Sequence, residues 1–143
     1  MLCAVLLLAL CTVPAGAVDL PETEKNYIVV PLDEYSTPKA APITGTIQQG
    51  ETLRYAYDIP ESAEQLEIVL QWQTAGQNDL SVRIIRQDQY AYGPYYDDFE
   101  GSINGIIPIG VNGRSFAGER LVIEINGYEI TGTESFTLQL NAT

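Results

Sequence analysis

The side chains best suited to chemistry concentrate between Gln87 and Glu100, where four tyrosines (Tyr90, Tyr92, Tyr95, Tyr96) and four acids (Asp88, Asp97, Asp98, Glu100) fall within fourteen residues. A tyrosine offers a flat apolar face and a hydroxyl at small conformational cost, which suits contact with a sugar ring or a protein surface. The same spacing also fits a strand whose tyrosines turn inward and close one end of a core, with the acids solvating it. Asp97, Asp98 and Glu100, together with Asp79 upstream, are hard oxygen donors of the kind Ca2+ collects, roughly six to eight at a time. No Asp-x-Asp-x-Asp-Gly loop arranges them. Ca2+ is therefore a candidate cofactor, and turn capping is the competing role for each acid.

Other chemistries are narrowed by what is scarce. The chain of 143 residues has no histidine and two cysteines, Cys3 and Cys11. Loss of an N-terminal leader carrying both would leave neither Cys nor His, which removes disulfides, Cys/His zinc sites, thiol nucleophiles and Ser-His-Asp triads. Paired carboxylates of a glycosidase would need a cleft between them that a domain of this size has little surface to build. The expectation is a protein without catalytic activity. A net charge of −12 repels phosphate backbones and argues against a nucleic-acid partner.

A leader is indeed expected. Leu2 to Val13 is nearly pure apolar sequence followed by Pro14-Ala15-Gly16-Ala17, and the small residues at Ala15 and Ala17 fit signal-peptidase cleavage after Ala17. The run is shorter than the roughly 20 residues of a membrane span, so the mature chain carries no predicted span. Leu10 stands where a small residue would precede a lipidated Cys11. Residues 1–17 thus read as a signal peptide, and the mature protein as secreted, extracellular or at the cell surface.

What must position the candidate residues is a set of strands. Residues 18–42 form an N-terminal extension with Pro21, Pro31, Pro38 and Pro42, and its apolar patch Tyr27-Ile28-Val29-Val30 is a candidate edge strand. From Ile43 the texture becomes period-2 alternation: Leu53/Tyr55/Tyr57/Ile59, Leu66/Ile68/Leu70/Trp72, Leu80/Val82/Ile84, Leu121/Ile123/Ile125 and Phe136/Leu138/Leu140. Each run presents one face to a core and one to water. Turn dipeptides separate them, among them Gln49-Gly50, Ala75-Gly76, Gly93-Pro94, Asn104-Gly105, Asn112-Gly113 and Asn126-Gly127. About eight short strands without a convincing helix predict an all-β, antiparallel β-sandwich over residues 43–143. Trp72, in phase with the apolar set, is expected in the core, and Arg83 and Arg86 as partners of the many acids. Asn141-Ala142-Thr143 is an N-glycosylation sequon.

The order of these pieces resembles the pre-peptidase C-terminal (PPC) domain family. The resemblance is carried by Gly45-Thr46-Ile47, Gly50-Glu51-Thr52, Tyr55 and Tyr57 leading to Ile59-Pro60, Leu66-Glu67-Ile68-Val69-Leu70 and Asn78-Asp79-Leu80-Ser81-Val82-Arg83. It continues through Gly118 to Ile125, then Tyr128, Gly132 and Ser135-Phe136-Thr137-Leu138. It implies a jelly-roll-like sandwich with a binding, adhesion or secretion role and no catalysis. The functional expectation is a binding or adhesion module that meets extracellular polysaccharide or envelope protein. The alternative is a structural envelope component that self-associates, through strand addition at Tyr27–Val30, with Ca2+ as a stabiliser.

Overall fold

The computed structural model describes residues 27–36, 40–113 and 116–143. The expected leader, its cleavage point and residues 18–26 of the extension lie outside the described residues. Nine strands appear in chain order: β1 (Tyr27–Pro31), β2 (Ile43–Gln48), β3 (Thr52–Asp58), β4 (Leu66–Trp72), β5 (Asp79–Arg86), β6 (Ala91–Tyr95), β7 (Ile106–Gly113), β8 (Arg120–Glu129) and β9 (Thr133–Ala142). A five-stranded sheet runs β1-β7-β4-β9-β2 and a four-stranded sheet runs β3-β8-β5-β6, with every pairing antiparallel. Among the described residues there is no helix long and apolar enough to cross a membrane. The all-β sandwich read from the alternation is the observed fold, with the candidate edge strand present as β1.

The core forms because the alternating apolar sets of both sheets face each other. Leu66, Ile68, Leu70, Ile107, Ile109, Val111 and Leu138 from the larger sheet meet Leu80, Val82, Ile84, Leu121, Ile123 and Ile125 from the smaller, and all are buried. Each such aliphatic side chain contributes about 1.5–3 kcal/mol relative to exposure. Trp72 is buried as expected, its Nε1–H donating to the Asn78 carbonyl at 2.8 Å.

Strand β4 is buried on both faces. Its outward residue Glu67 is covered by the segment after β1: Ser36 donates to the Glu67 carboxylate through its backbone N–H and its hydroxyl, each at 3.1 Å, and Asn141 Nδ2 donates at 3.0 Å. Leu32 lies against Gly110, where an added Cβ would come within 2.7 Å of Leu32 Cδ2. The same cover corrects the expectation for the sequon. Asn141 is 5% exposed and its amide is engaged, so it is not offered for glycosylation in the folded chain.

Three turns expected from sequence lie inside strands instead: Asn112-Gly113 ends β7, paired with β1, and two others interrupt a ladder. Asn126-Gly127 is part of β8, and Gly93-Pro94 is part of β6. At each of these two, the pairing with β5 shifts register. Leu80 faces Gly127 but Asp79 faces Glu129, so Tyr128 is an extra residue. Val82 faces Tyr95 and Ile84 faces Tyr92, so Gly93-Pro94 likewise adds one. These bulges redirect the side chains beside them.

Candidate functional site

The second bulge decides where the tyrosines go. Residues three apart on a regular strand face opposite ways, yet Tyr92 and Tyr95 both turn inward, because Gly93-Pro94 supplies the extra residue between them. Tyr92 stacks on Tyr27 at 5.5 Å and 14°, and Tyr90 meets Tyr92 edge-on at 4.9 Å. Tyr95 packs against Phe99 at 4.6 Å, and its burial pushes the hydroxyl pKa up. The four rings therefore do not form one platform. Three serve packing, and Tyr96 alone stands at a surface cleft.

At the sandwich end closed by these rings, Tyr27 is buried beside Phe116 and under the Arg86 guanidinium, which sits 4.9 Å from its ring centre. The Tyr27 hydroxyl donates to Glu119, and burial followed by that carboxylate drives its pKa well upward. Arg86 is held by Glu119 at 3.5 Å and Asp88 at 3.7 Å. This constellation is a polar lock on β1.

Tyr96 meets Tyr128 edge-to-face at 5.0 Å on the outer side of the smaller sheet. Tyr128 reaches that position as the extra residue of its bulge. Burial, then the charges of Asp79, Glu129 and Asp98 with the Tyr96 hydroxyl nearby, push its pKa up to about 12, so the phenol stays protonated and able to donate at neutral pH. The pair forms a ridge between two adjoining hollows. One, of about 360 Å³, is walled by Asp79, Asp97, Asp98 and Ile103. The other, of about 340 Å³, runs over Thr52, Ser81, Arg83, Pro94, Glu124 and Asn126.

The floor of the second hollow is ordered by strand register. Thr52, Asn126 and Ser81 lie in one row across β3, β8 and β5, and Arg54, Glu124 and Arg83 in the next. Glu124, 8% exposed, is clamped by Arg54 at 2.8 Å and Arg83 at 3.6 Å. Two guanidiniums sharing one carboxylate keep further N–H donors for a ligand, since each carries five. Arg83 and Arg86 are thus partners of acids, as expected from sequence.

The proposed metal ligands are placed differently from what a calcium site needs. Asp97 is 3% exposed and spends its carboxylate on backbone N–H groups: Gly105 at 2.9 Å to both oxygens, Ile106 at 3.1 Å and Asn104 at 3.2 Å to one. Glu100 accepts from the Asn104 and Ser102 side chains. Asp79 and Asp98 share the hollow with Asp97, but among the described residues no three acidic side chains are placed to hold a metal ion. Asp97 pins the turn into β7.

Sequence reasoning missed Tyr128, Asn126, Ser81, Thr52 and Glu124 as groove residues. Their polar alternation along β5 and β8 was visible, but the cross-strand rows and the Tyr128 bulge come only from pairing. Compared with known proteins, the chain matches no protein-family model and no curated protein.

Proposed function

We propose that this chain is a secreted, non-catalytic binding module that holds extracellular polysaccharide along the outer face of the smaller sheet. The observation that carries the reading is the Tyr96–Tyr128 ridge set between hollows floored by an ordered row of amide, hydroxyl and guanidinium groups. An aromatic edge for the C–H face of a sugar and planar polar groups for its hydroxyls are the two things a glycan requires. Two of the acids around the ridge support a non-catalytic role, because Glu124 is bound to two arginines and Asp97 to backbone. The reading includes the signal peptide over residues 1–17 and a cell-surface or extracellular location. It also includes membership of the PPC-like domains and a jelly-roll wrap for β2–β9, whose sheet orders 7-4-9-2 and 3-8-5-6 support that assignment.

Self-assembly by strand addition at β1 has less support. The Leu32 N–H bond to the Pro108 carbonyl sets the phase of the β1–β7 ladder, so Tyr27, Val29 and Pro31 turn their backbone groups to the free edge. Pro31 has no N–H, and the Tyr27 N–H is directed to the Tyr92 hydroxyl at 3.4 Å. Only Val29 offers an outward donor, which blunts the edge.

Affinity electrophoresis of the full chain through gels carrying a panel of extracellular polysaccharides tests the reading. Tyr96→Ala and Tyr128→Ala should each weaken retardation about tenfold with melting little changed, as expected for loss of one aromatic contact, while Tyr90→Ala leaves it unaltered. Full retardation of the Tyr96→Ala/Tyr128→Ala double variant, or no retardation of the wild type by any polysaccharide, would refute the assignment.

A further inference from the structure

A hollow of about 680 Å³ lies on the opposite face, over β2, β9 and β4 of the larger sheet. Register places Thr44, Thr137 and Gln71 side by side across the three strands, and Thr46 beside Ser135 in the next row, with Gln73 just beyond the end of β4. Adjacent strands are about 4.8 Å apart and same-face residues about 6.8 Å apart along a strand, so these side chains form a compact grid of hydroxyls and amides. Each hydroxyl can both donate and accept. Among the described residues, the hydroxyls of Thr44, Thr46, Ser135 and Thr137 have no protein hydrogen-bond partner, so they are available to a ligand.

Three features separate this hollow from an ordinary hydrated sheet face. One of its amides is fixed in place: Gln71 Nε2 donates at 3.0 Å to the hydroxyl of Tyr35, in the segment that covers Glu67. It has an apolar strip, because Ile106 lines it together with the margins of Trp72 and Phe136. And among the described residues no acidic or basic side chain lines it, in a chain of net charge −12 with nineteen acids. A charged ligand would find no counter-charge there, whereas an uncharged polyol would find matched hydrogen-bond partners and an apolar strip for its C–H surface.

We infer that the open face of the larger sheet is a second binding site, selective for neutral glycans and independent of the Tyr96–Tyr128 groove. A module with a site on each face bridges two polysaccharide chains rather than decorating one. The ligand class follows from the absence of charge in the lining, and the sugar's hydroxyls replace water on the Thr/Ser/Gln grid.

Titration of the ¹⁵N-labelled full chain with millimolar maltotetraose, cellotetraose, mannotetraose and xylotetraose, followed by NMR, tests this residue by residue, with tetragalacturonate as the charged control. At least one neutral tetrasaccharide should shift the amides of Thr44, Thr46, Ser135 and Thr137. Thr137→Val, a substitution that suits a strand, should weaken that response about tenfold by leaving one sugar hydroxyl without its partner. Tyr96→Ala should leave it intact, so loss of the groove reading and loss of this one are told apart. The inference is overturned if no neutral tetrasaccharide moves those amides, if tetragalacturonate moves them equally, or if Thr44→Val/Thr137→Val binds as the wild type does.

Discussion

Asp97 is where a structural carboxylate and a calcium ligand predict different numbers. In the fold one oxygen, Oδ1, accepts from Asn104, Gly105 and Ile106, and the other accepts only from Gly105, which also bonds Oδ1. Asn placed with its carbonyl at Oδ1 keeps an acceptor for all three N–H groups and loses the charge, a cost of about 1 kcal/mol. Ala leaves the backbone N–H groups of Asn104 and Gly105 without an acceptor, while Ile106 keeps its bond to Asn104 Oδ1 at 3.0 Å; with Gly105 buried the cost rises to about 3 kcal/mol. The 112 described residues at about 2.1 cal/mol/K each give an unfolding entropy near 0.24 kcal/mol/K, so Tm should fall by about 4 °C for Asp97→Asn and about 12 °C for Asp97→Ala.

The assay is thermal unfolding by circular dichroism, in EGTA and again in millimolar Ca2+, with Mg2+ as the control for general screening. A turn lock requires the graded loss to appear in EGTA and to keep its size in Ca2+. A ligand requires the reverse: wild type and both variants alike in EGTA, and a Ca2+-specific rise present in the wild type and absent from both, about 2.7 kcal/mol when the ion stands at 100 times its Kd. That second pattern would refute a turn-locking role for Asp97.

Two further groups predict how stability depends on pH. Glu134, 3% exposed, would have its pKa raised by burial, but hydrogen bonds from Thr74, Asn78 and the backbone N–H groups of Gln73 and Ser135 outweigh this and hold it below its usual 4.5. Its contribution is therefore present above 4.5 and lost as the pH falls through the lowered folded value, and melts from neutral to acid pH should fall less steeply for Glu134→Gln than for the wild type; equal slopes would contradict it. Tyr27 runs the other way: its raised pKa means its contribution is full below pH 10 and is lost as the pH climbs beyond, so Tyr27→Phe should flatten the alkaline limb of the stability curve.

What the sequence made legible follows from how local each signal is. Strands half-buried in an antiparallel sheet announce themselves by alternation, and β3, β5, β8 and β9 did so. Strand β7 did not, because Ile106-Ile107-Pro108-Ile109-Gly110-Val111 is flanked by β1 and β4 and covered outside by Leu32, leaving no polar alternate to mark it. The tyrosine cluster was visible as composition, but its division into packing rings and a single surface ring turns on one inserted residue at Gly93-Pro94. The Thr/Ser/Gln grid joins residues from β2 and β9, about ninety positions apart, and no local pattern pairs Thr44 with Thr137.

The distribution of charge differs between the two faces and bears on the ligand proposed for each. Every arginine among the described residues, Arg54, Arg83, Arg86 and Arg120, lies on the four-stranded sheet, and each is within 4 Å of an acid there. Those ion pairs balance charge around Glu124, Asp58 and Glu119, but not around Asp79, Asp97 and Asp98. The hollow on the open part of the five-stranded sheet has no charged side chain in its lining among the described residues. At physiological ionic strength the field of more distant acids is screened over about 8 Å, so the two faces differ: Asp79, Asp97 and Asp98 leave one hollow beside the Tyr96–Tyr128 ridge acidic, whereas the described lining of the larger sheet's hollow is uncharged. The net charge of −12 opposes close approach of two copies, so the two-site reading proposed above expects bridging through the glycan and not through contact between copies.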